Sequence, residues 1–499
     1  MRPGPSTSLP FIAAGAGVAA FASAVTYDFA YDDRWTIIEN AWLMRPLGEL
    51  ARLLFTGEAV AKRIPDATRP LMVLGHALER RLFGLSPAAY HFNSLIIYGI
   101  CCGFATTVAL IFGRQRHVAL VAACFFALAP VHAEAVAAVN YREDLYAACG
   151  ILVALALLFG QPSTLPRRQF GRAAIAAVVL GAGLLGKESA LAVVPLVAVI
   201  LLVVPWARAR ARENALTARA LGTVVFLWLC FRVPLALRGD GIPLAPERSL
   251  SQLVLRTARF EVIAVGRALW PFTYAPDYWR QTDASFGWAV PAISLAVLVL
   301  VLGQSARTRL PALGVGIALA SALFACPLVR PINEFADRYF FLGTLGGGLC
   351  WGWALGRFAK GFSLWRWRAW LCVACLPMLL ITEQASSIWR NERALWSAAV
   401  AITPQSSRAW SALSDVYRTA GEQRNADMAV GRALNENANY PPALVTEVYN
   451  DLAFGRLELA REHLARLDER HWGEGGGLAK AKRCADLPNP EAAARCIAP

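Results

Sequence analysis

The chain is 499 residues long, 57% hydrophobic and only 17% charged. Soluble domains carry about 25% charged residues, so a water-soluble globule is excluded and a helical bundle in lipid is the expected class. The net charge of +14 does not mark a nucleic-acid binder, because the basic residues sit in short loops between apolar segments and not on one solvated surface interleaved with aromatics.

Hydropathy reads as about eleven spans of roughly the length that crosses a hydrocarbon core. They fall near 10–26, 88–113, 117–131, 145–160, 173–186, 189–206, 220–235, 287–303, 310–328, 339–356 and 369–382. The first follows a weak basic start, Arg2, and reads as an uncleaved helix in preference to a signal peptide. The stretch 249–270 is apolar but carries Arg256, Arg259, Glu261 and Arg267 at roughly helical spacing, so an amphipathic helix at the interface is expected. Nine of the eleven cysteines lie in apolar sequence, where they act as small hydrophobes. Cys484 and Cys496 lie in polar sequence, and both a free pair and a disulfide are open to them.

Basic residues gather in alternate loops. Arg114 and Arg116, then Arg167, Arg168 and Arg172, then Arg208, Arg210, Arg212 and Arg219, then Arg307 and Arg309, then Arg357, Lys360, Arg366 and Arg368 form five groups with Glu213 as the one acid among them. The positive-inside rule makes these loops cytoplasmic, which puts the N-terminus inside and the C-terminal region outside an inner (cytoplasmic) membrane. The parity closes when 236–286 is an outer loop containing the interfacial helix. Four remaining charged groups then share the outer face: Asp28, Asp32 and Asp33; His132, Glu134, Arg142, Glu143 and Asp144; Lys187 and Glu188; Glu334, Asp337 and Arg338. Ionisable residues against membrane spans are costly unless solvated or paired, so their convergence implies one polar cavity.

The adjacent carboxylates Asp32 and Asp33 open the first outer loop, 27–87. Two like charges so close cannot both ionise comfortably, which suits one of them to accepting a proton; an N-cap is the simpler structural alternative. His132 and Glu134 read as a hydrogen-bonded core pair and not as metal ligands, and no cofactor is expected. Lys187 with Glu188 fits either a phosphate contact or an ion pair at a helix end.

In chain order, YDDRWTIIEN, TRPL, FGLSPAAYHFN, FALAPVHAEAVAAVNYREDL, GKESALAVVPL, FADRYFFLGTLG and WRNERALWSAAVAITPQSSRAW resemble the transmembrane and TPR repeat-containing O-mannosyltransferases of the GT-C glycosyltransferase class. The resemblance runs from about residue 27 to about residue 440, and the order of its motifs is what makes it specific. It implies an all-α polytopic bundle over 1–382 that moves a sugar from a polyprenyl-phosphate carrier to a hydroxyl with inversion. By similarity Asp32 would be the base and Asp33 its helper, although the residues alone do not separate the two. Arg338 would hold the lipid phosphate, and Arg142 would contact phosphate or acceptor. Arg69, in TRPL, would face the donor beside Lys187, with His132, Glu134, Asp144 and Glu188 in support. His91 and Asn93 would cap or pack the second span. The chain departs from the family's small-residue loop at Asn140, Tyr141 and Glu143, which points to a changed acceptor or sugar.

Beyond Ile381 the sequence turns polar and repeats with a shift of about 34 residues, the TPR period. This aligns Ala409 with Ala443, Gly421 with Gly455, Ala426 with Ala460, Val430 with Leu464 and Ala433 with Leu467. Residues 383–499 are therefore expected to be a short TPR-like domain and tail outside the membrane, ending its helical pattern near Gly475–Gly477, with a groove for an acceptor protein. The expected activity is transfer of a hexose such as mannose to an exported protein, with membrane lipids and the lipid-linked donor as partners and no nucleic acid. The rivals are a polysaccharide or O-antigen-type ligase, a transporter, and a TPR-bearing scaffold without catalysis.

Overall fold

The computed structural model describes residues 8–113, 115–237, 250–272, 274–278, 309–323, 335–358, 363–467 and 476–497, and every regular element among them is a helix. The expected span 287–303, the end of 310–328, and Arg2, Arg114, Arg307, Glu334, Lys360 and Gly475 lie outside the described residues. Two units form: residues 1–274 with 286–390, and residues 275–285 with 391–499.

The first unit begins with α1 (Leu9–Ala20). The loop after it carries three short amphipathic or apolar helices, α2 (Leu47–Thr56), α3 (Glu58–Ala61) and α4 (Pro70–Phe83). Then come α5 (Pro87–Gly113), α6 (Arg116–Ala127), α7 (Ala133–Ala137), α8 (Arg142–Phe159), α9 (Pro166–Gly186), α10 (Val193–Val203), α11 (Ala207–Glu213) and α12 (Ala215–Leu237). After these follow α13 (Leu250–Leu269), α14 (Leu310–Ala322), α15 (Gly343–Phe358) and α16 (Leu364–Ser387). Large apolar side chains on α9, α10, α12 and α16 face outward, among them Phe170, Leu202, Phe226 and Val373. Such apolar faces on long helices belong in hydrocarbon, and the chain is an integral membrane protein.

Pro87–Gly113, Pro166–Gly186, Ala215–Leu235 and Trp365–Arg390 are the described helices both long and apolar enough to cross. A fifth arises if Arg116–Ala127 and Pro130–Ala137 count as one span bent by 47°. Pro130 causes that break: it lacks the N–H for the helical ladder and holds Ala129 extended. The expected span 117–131 therefore stops at Ala127, and the chain after it stays available for the site. Leu9–Ala20, Glu188–Val203 and Leu310–Ala322 are shorter apolar helices. The 18-residue α8 has three charges in its first turn and is buried along almost all its length, so it needs no lipid-facing apolar band of its own. Arg167, Arg168 and Arg172, expected in a loop, lie on the first turns of α9. Pro166 at the helix start fixes the entry, and Arg172 reaches back to the Leu157 carbonyl at 2.6 Å.

Three consecutive glycines organise the packing around α15. A Cβ on Gly346 would overlap the Gly314 carbonyl of α14, one on Gly347 the Ala268 carbonyl of α13, and one on Gly348 would lie 2.8 Å from Ala122 Cα of α6. Successive helical residues point about 100° apart. Three bare positions in a row therefore let three helices approach one backbone at contact distance, the small-residue packing favoured in lipid. The expected amphipathic helix 249–270 is α13, and it packs along α15, with Trp351 Nε1 donating to the Leu269 carbonyl at 2.8 Å.

The second unit contains α17 (Glu392–Ile402), α18 (Ser407–Thr419), α19 (Gln423–Glu436), α20 (Pro441–Ala453), α21 (Leu457–Arg466), α22 (Gly476–Ala485) and α23 (Pro490–Ile497). The starts of α18 and α20, and of α19 and α21, are each about 34 residues apart. Gly421 and Gly455 close the two hairpins at φ +75 and +74, a region that costs a side-chain-bearing residue about 1 kcal/mol or more. The aligned alanines 409, 443, 426 and 460 are all fully buried, where their size lets the paired helices meet. Asp277 joins this unit by accepting from the Ser406 hydroxyl and the Arg408 guanidinium, while Thr403 Oγ1 donates to its carbonyl at 2.9 Å.

Cys484 and Cys496 are bonded, with a separation of 12 residues. The link clips α22 to α23 over a shared apolar cluster with Val448, Leu452 and Ala460. Closing so short a loop stabilises by about 2–3 kcal/mol. Replacing both cysteines by serine is therefore expected to free these two helices while α18–α20 stay folded. Limited proteolysis that cuts first after residue 475 in the variant and not in the wild type checks this.

Candidate active site

The loop after α1 turns sharply. Tyr31 lies at φ +56, and a single π-turn, Arg34–Ile38, follows the acidic pair. The two carboxylates divide their work there. Asp33 is fully buried and accepts two backbone N–H bonds, from Ala30 at 3.1 Å and from Asn140 at 2.7 Å. Asp32, half-buried, accepts from the Tyr141 hydroxyl at 3.0 Å. Asp33 thus ties the first loop to the 139–141 turn, and Asp32 presents its carboxylate beside it.

Burial pushes the Asp32 carboxyl up to about 6, against the pull of the Tyr141 hydroxyl and the Arg338 guanidinium. Burial likewise pushes Asp33 up to about 7, although its backbone donors pull the other way. The Tyr141 phenol is held well above its ordinary range by burial, so it stays a donor at every working pH.

Arg338 lies in the short 3₁₀ turn Asp337–Phe340 that enters α15. Its guanidinium pairs with Glu134, whose other oxygen accepts the Arg338 backbone N–H at 3.1 Å. The same guanidinium stacks 3.9 Å from the centre of the Tyr141 ring and 5.0 Å from that of Tyr339. Its Nε lies 3.7 Å from Asp144, and it is buried and makes no hydrogen bond. Lys187 bridges Asp144 at 2.7 Å and Glu143 at 2.9 Å. Arg69 pairs with Glu143 at 2.5 Å, Asp66 at 3.4 Å and, more loosely, Glu188 at 3.6 Å. Its Nε too is buried without a hydrogen bond.

One chain of charges, Arg69, Glu143, Lys187, Asp144, Arg338 and Glu134, therefore links five separate segments and ends beside Asp32. Buried ion pairs of this kind are costly to desolvate and add little net stability. What they do fix is the position of three cations, and the two guanidinium Nε groups lacking acceptors are apt for an anion's oxygens.

Arg142 does not join this chain. Its guanidinium donates to Glu79 at 2.6 Å, Ser94 Oγ at 2.9 Å and the Tyr90 carbonyl at 2.7 Å, and it is among the most buried side chains of the molecule. Arg142, expected at the phosphate or the acceptor, is placed by these bonds as a brace that pins the start of α8 against α4 and α5. Its partner Glu79 also accepts from Asn93 at 2.7 Å, which packs the second span as expected. Removing the acid leaves a buried guanidinium uncompensated, so Glu79→Ala is expected to lower stability by about 3–5 kcal/mol. Thermal unfolding of the detergent-solubilised protein measures it, and Glu79→Gln is expected to lose less.

His132 is fully engaged in the core. Its Nδ1 meets the Tyr98 hydroxyl at 3.0 Å, its Nε2 meets the Phe341 carbonyl and Thr344 Oγ1, and its ring stacks 4.0 Å from Phe341. It supports the turn that carries Arg338. His91 reaches the Asp28 carbonyl at 3.4 Å. Sequence reasoning missed Tyr141 as the contact between Asp32 and Arg338, Tyr339 as the second aromatic wall, and Asp66. The departure from small residues at 140 and 141 was the one visible signal for the first; Asp66, at φ +54 in a loop without a motif, left none.

No protein-family model matches the chain. It is similar to protein O-mannosyl-transferase TMTC1 of Mus musculus, 31% identical over 152 residues, which covers 28% of this chain and 16% of that protein. It is also similar to protein O-mannosyl-transferase Tmtc1 of Drosophila melanogaster, 32% identical over 166 residues, 33% of this chain and 19% of the relative. Protein O-mannosyl-transferase TMTC4 of Homo sapiens is 30% identical over 171 residues, 30% of this chain and 23% of its own length. The chain thus spans about a fifth of the length of these curated relatives. Among solved structures, ArnT from Cupriavidus metallidurans bound to undecaprenyl phosphate has a TM-score of 0.40 and 15% identity, covering 91% of this chain and 79% of that chain.

Proposed function

We propose that this protein is a membrane glycosyltransferase of the GT-C class that moves a hexose such as mannose from a polyprenyl-phosphate donor to a hydroxyl of an exported protein. The observation that carries the reading is the meeting, through Tyr141, of a carboxylate poised near neutrality with a guanidinium whose Nε has no acceptor. The relatives named as protein O-mannosyl-transferases support the reaction class.

In the proposed reaction the acceptor hydroxyl oxygen attacks C1 of the sugar as the C1–O bond to phosphate breaks. The hydroxyl proton passes to Asp32, and the polyprenyl phosphate leaves with the bonding electron pair. A phosphate leaving group needs no acid, only cations to take up its charge, which is the work assigned to Arg338 with Arg69 and Lys187. Asp33 positions the loop. The site faces the outer side of an inner membrane with the N-terminus inside, and the 34-residue hairpins of the second unit, TPR-like in period, offer the acceptor protein a surface.

The test is transfer of label from a radiolabelled polyprenyl-phosphate hexose to an exported-protein extract by the purified full chain. No transfer by the wild type overturns the reading, and label lost on adding EDTA overturns its metal-free form. The base must be ionised to act, so activity is expected to fall as pH drops through about 6, the value to which burial raises Asp32. A rate profile flat between pH 5 and 8 would remove Asp32 from the role.

A further inference from the structure

Position 141 departs from the small-residue loop of the family the sequence resembles, and the structure puts that side chain to two uses at once. The hydroxyl donates to Asp32 at 3.0 Å, and the ring lies 3.9 Å under the Arg338 guanidinium. A small residue at 141 could make neither contact. The tyrosine is itself held: it is buried, it follows Asn140, whose N–H is fixed by Asp33, and its ring packs edge-on against Trp389 at 6.0 Å.

We propose that Tyr141 is a positioning residue coupling the two halves of the site, so that an anion on Arg338 and a proton on Asp32 are felt by each other through one rigid side chain. The inference rests on the glycosyltransferase reading and assigns within it a residue that neither the motif nor the relatives' names supply.

The physical logic is linkage. With Arg338 unoccupied, its positive charge and the Tyr141 O–H both favour the ionised Asp32. An anion bound to Arg338 cancels part of that charge, and the carboxylate becomes a stronger base when donor is present. By reciprocity, an ionised Asp32 weakens anion binding and a protonated one strengthens it. Among the described residues, these charged and titratable groups act on Asp32. Asp33 stands beside it in the same loop, Asp66 comes from the loop before α4, Tyr141 and Glu143 come from the entry to α8, and Arg338 comes from the turn before α15. Of these, Tyr141 touches both Asp32 and Arg338, and the ring fixes the guanidinium plane, since an arginine stacks on an aromatic face and a lysine would not.

Two substitutions separate the two contacts. Tyr141→Phe keeps the ring under Arg338 and removes the hydrogen bond to Asp32. The midpoint of the acidic limb of kcat is expected to move up by about half to one pH unit, because the ionised carboxylate has lost a donor, while KM for the donor stays within about twofold. Tyr141→Leu removes both contacts, and KM for the donor is expected to rise by about fivefold or more in addition.

The measurement is full pH–rate and donor-titration series on the full-length protein in detergent, with binding of the polyprenyl-phosphate hexose, a phosphodiester whose charge is constant in this range, followed without acceptor at pH 5.5 and pH 8 as a readout independent of turnover. Tighter binding at the lower pH in the wild type, with that difference reduced in Tyr141→Phe, supports the coupling. A Tyr141→Phe profile superimposable on the wild type overturns it, as does a Tyr141→Leu donor KM equal to that of Tyr141→Phe. A wild type that transfers sugar while the tyrosine variants behave like it refutes this inference alone; a wild type that transfers none refutes the parent reading and this inference with it.

Discussion

Asp32→Asn is expected to lower the rate of sugar transfer by about 10²–10⁴-fold with little change in thermal stability. The amide is the same size, and its oxygen can still accept from the Tyr141 hydroxyl that now bonds the carboxylate at 3.0 Å, so the loop keeps its shape and only the proton acceptor is lost. Asp33→Asn provides the contrast. Both Asp33 oxygens accept backbone N–H bonds, from Ala30 and Asn140, and an amide NH₂ must face one of those donors. That mismatch is expected to cost about 1–3 kcal/mol of stability. Initial rates and melting curves on the two variants side by side separate the roles: a slow, stable Asp32 variant and an unstable Asp33 variant support the division. Equal melting loss in both would mean that Asp32 is as structural as its neighbour.

Arg338→Ala is expected to lower kcat/KM for the lipid donor by about 10²–10³-fold, the usual consequence of removing one charge-stabilising donor from a transition state. It also leaves Glu134 and Asp144 without their shared cation, so their repulsion of an incoming phosphate adds to the loss. Arg338→Lys is expected to recover only a small part. An ammonium can restore the charge near Glu134, but it can neither stack flat on Tyr141 nor present the Nε edge that now makes no hydrogen bond. Donor-dependent rates for the three proteins check this, and a lysine variant as active as the wild type would show that charge alone suffices.

Much of this arrangement was legible from residue order alone, for identifiable reasons. Apolar runs must become helices in lipid, because backbone polar groups have no water there to bond. Charges abutting such runs must find one another, and Asp32, Lys187, Arg69 and Arg338 do converge. The partner of each charge was not legible. Arg142 stands in the same stretch as Glu143 and Asp144, yet it turns to Glu79, 63 residues earlier, a choice set by how α4, α5 and α8 pack. The two adjacent aspartates were indistinguishable for the same reason: their roles divide on which one the Asn140 amide reaches. Span lengths were over-read where a break intervenes, as at Pro130, which ends the expected 117–131 at Ala127.

The triple glycine of α15 carries a consequence for the site some distance away. Gly347 meets the backbone of α13 at Ala268, next to Arg267, which lies 3.8 Å from Asp337, the neighbour of Arg338. Two main chains in direct contact have no rotamers with which to absorb a misfit, so a single added methyl at Gly347 must shift a whole helix. That shift is expected to reach the Asp337–Phe340 turn through the Arg267–Asp337 contact. A substitution at Gly347 is therefore expected to disturb the cluster around Arg338 without touching it.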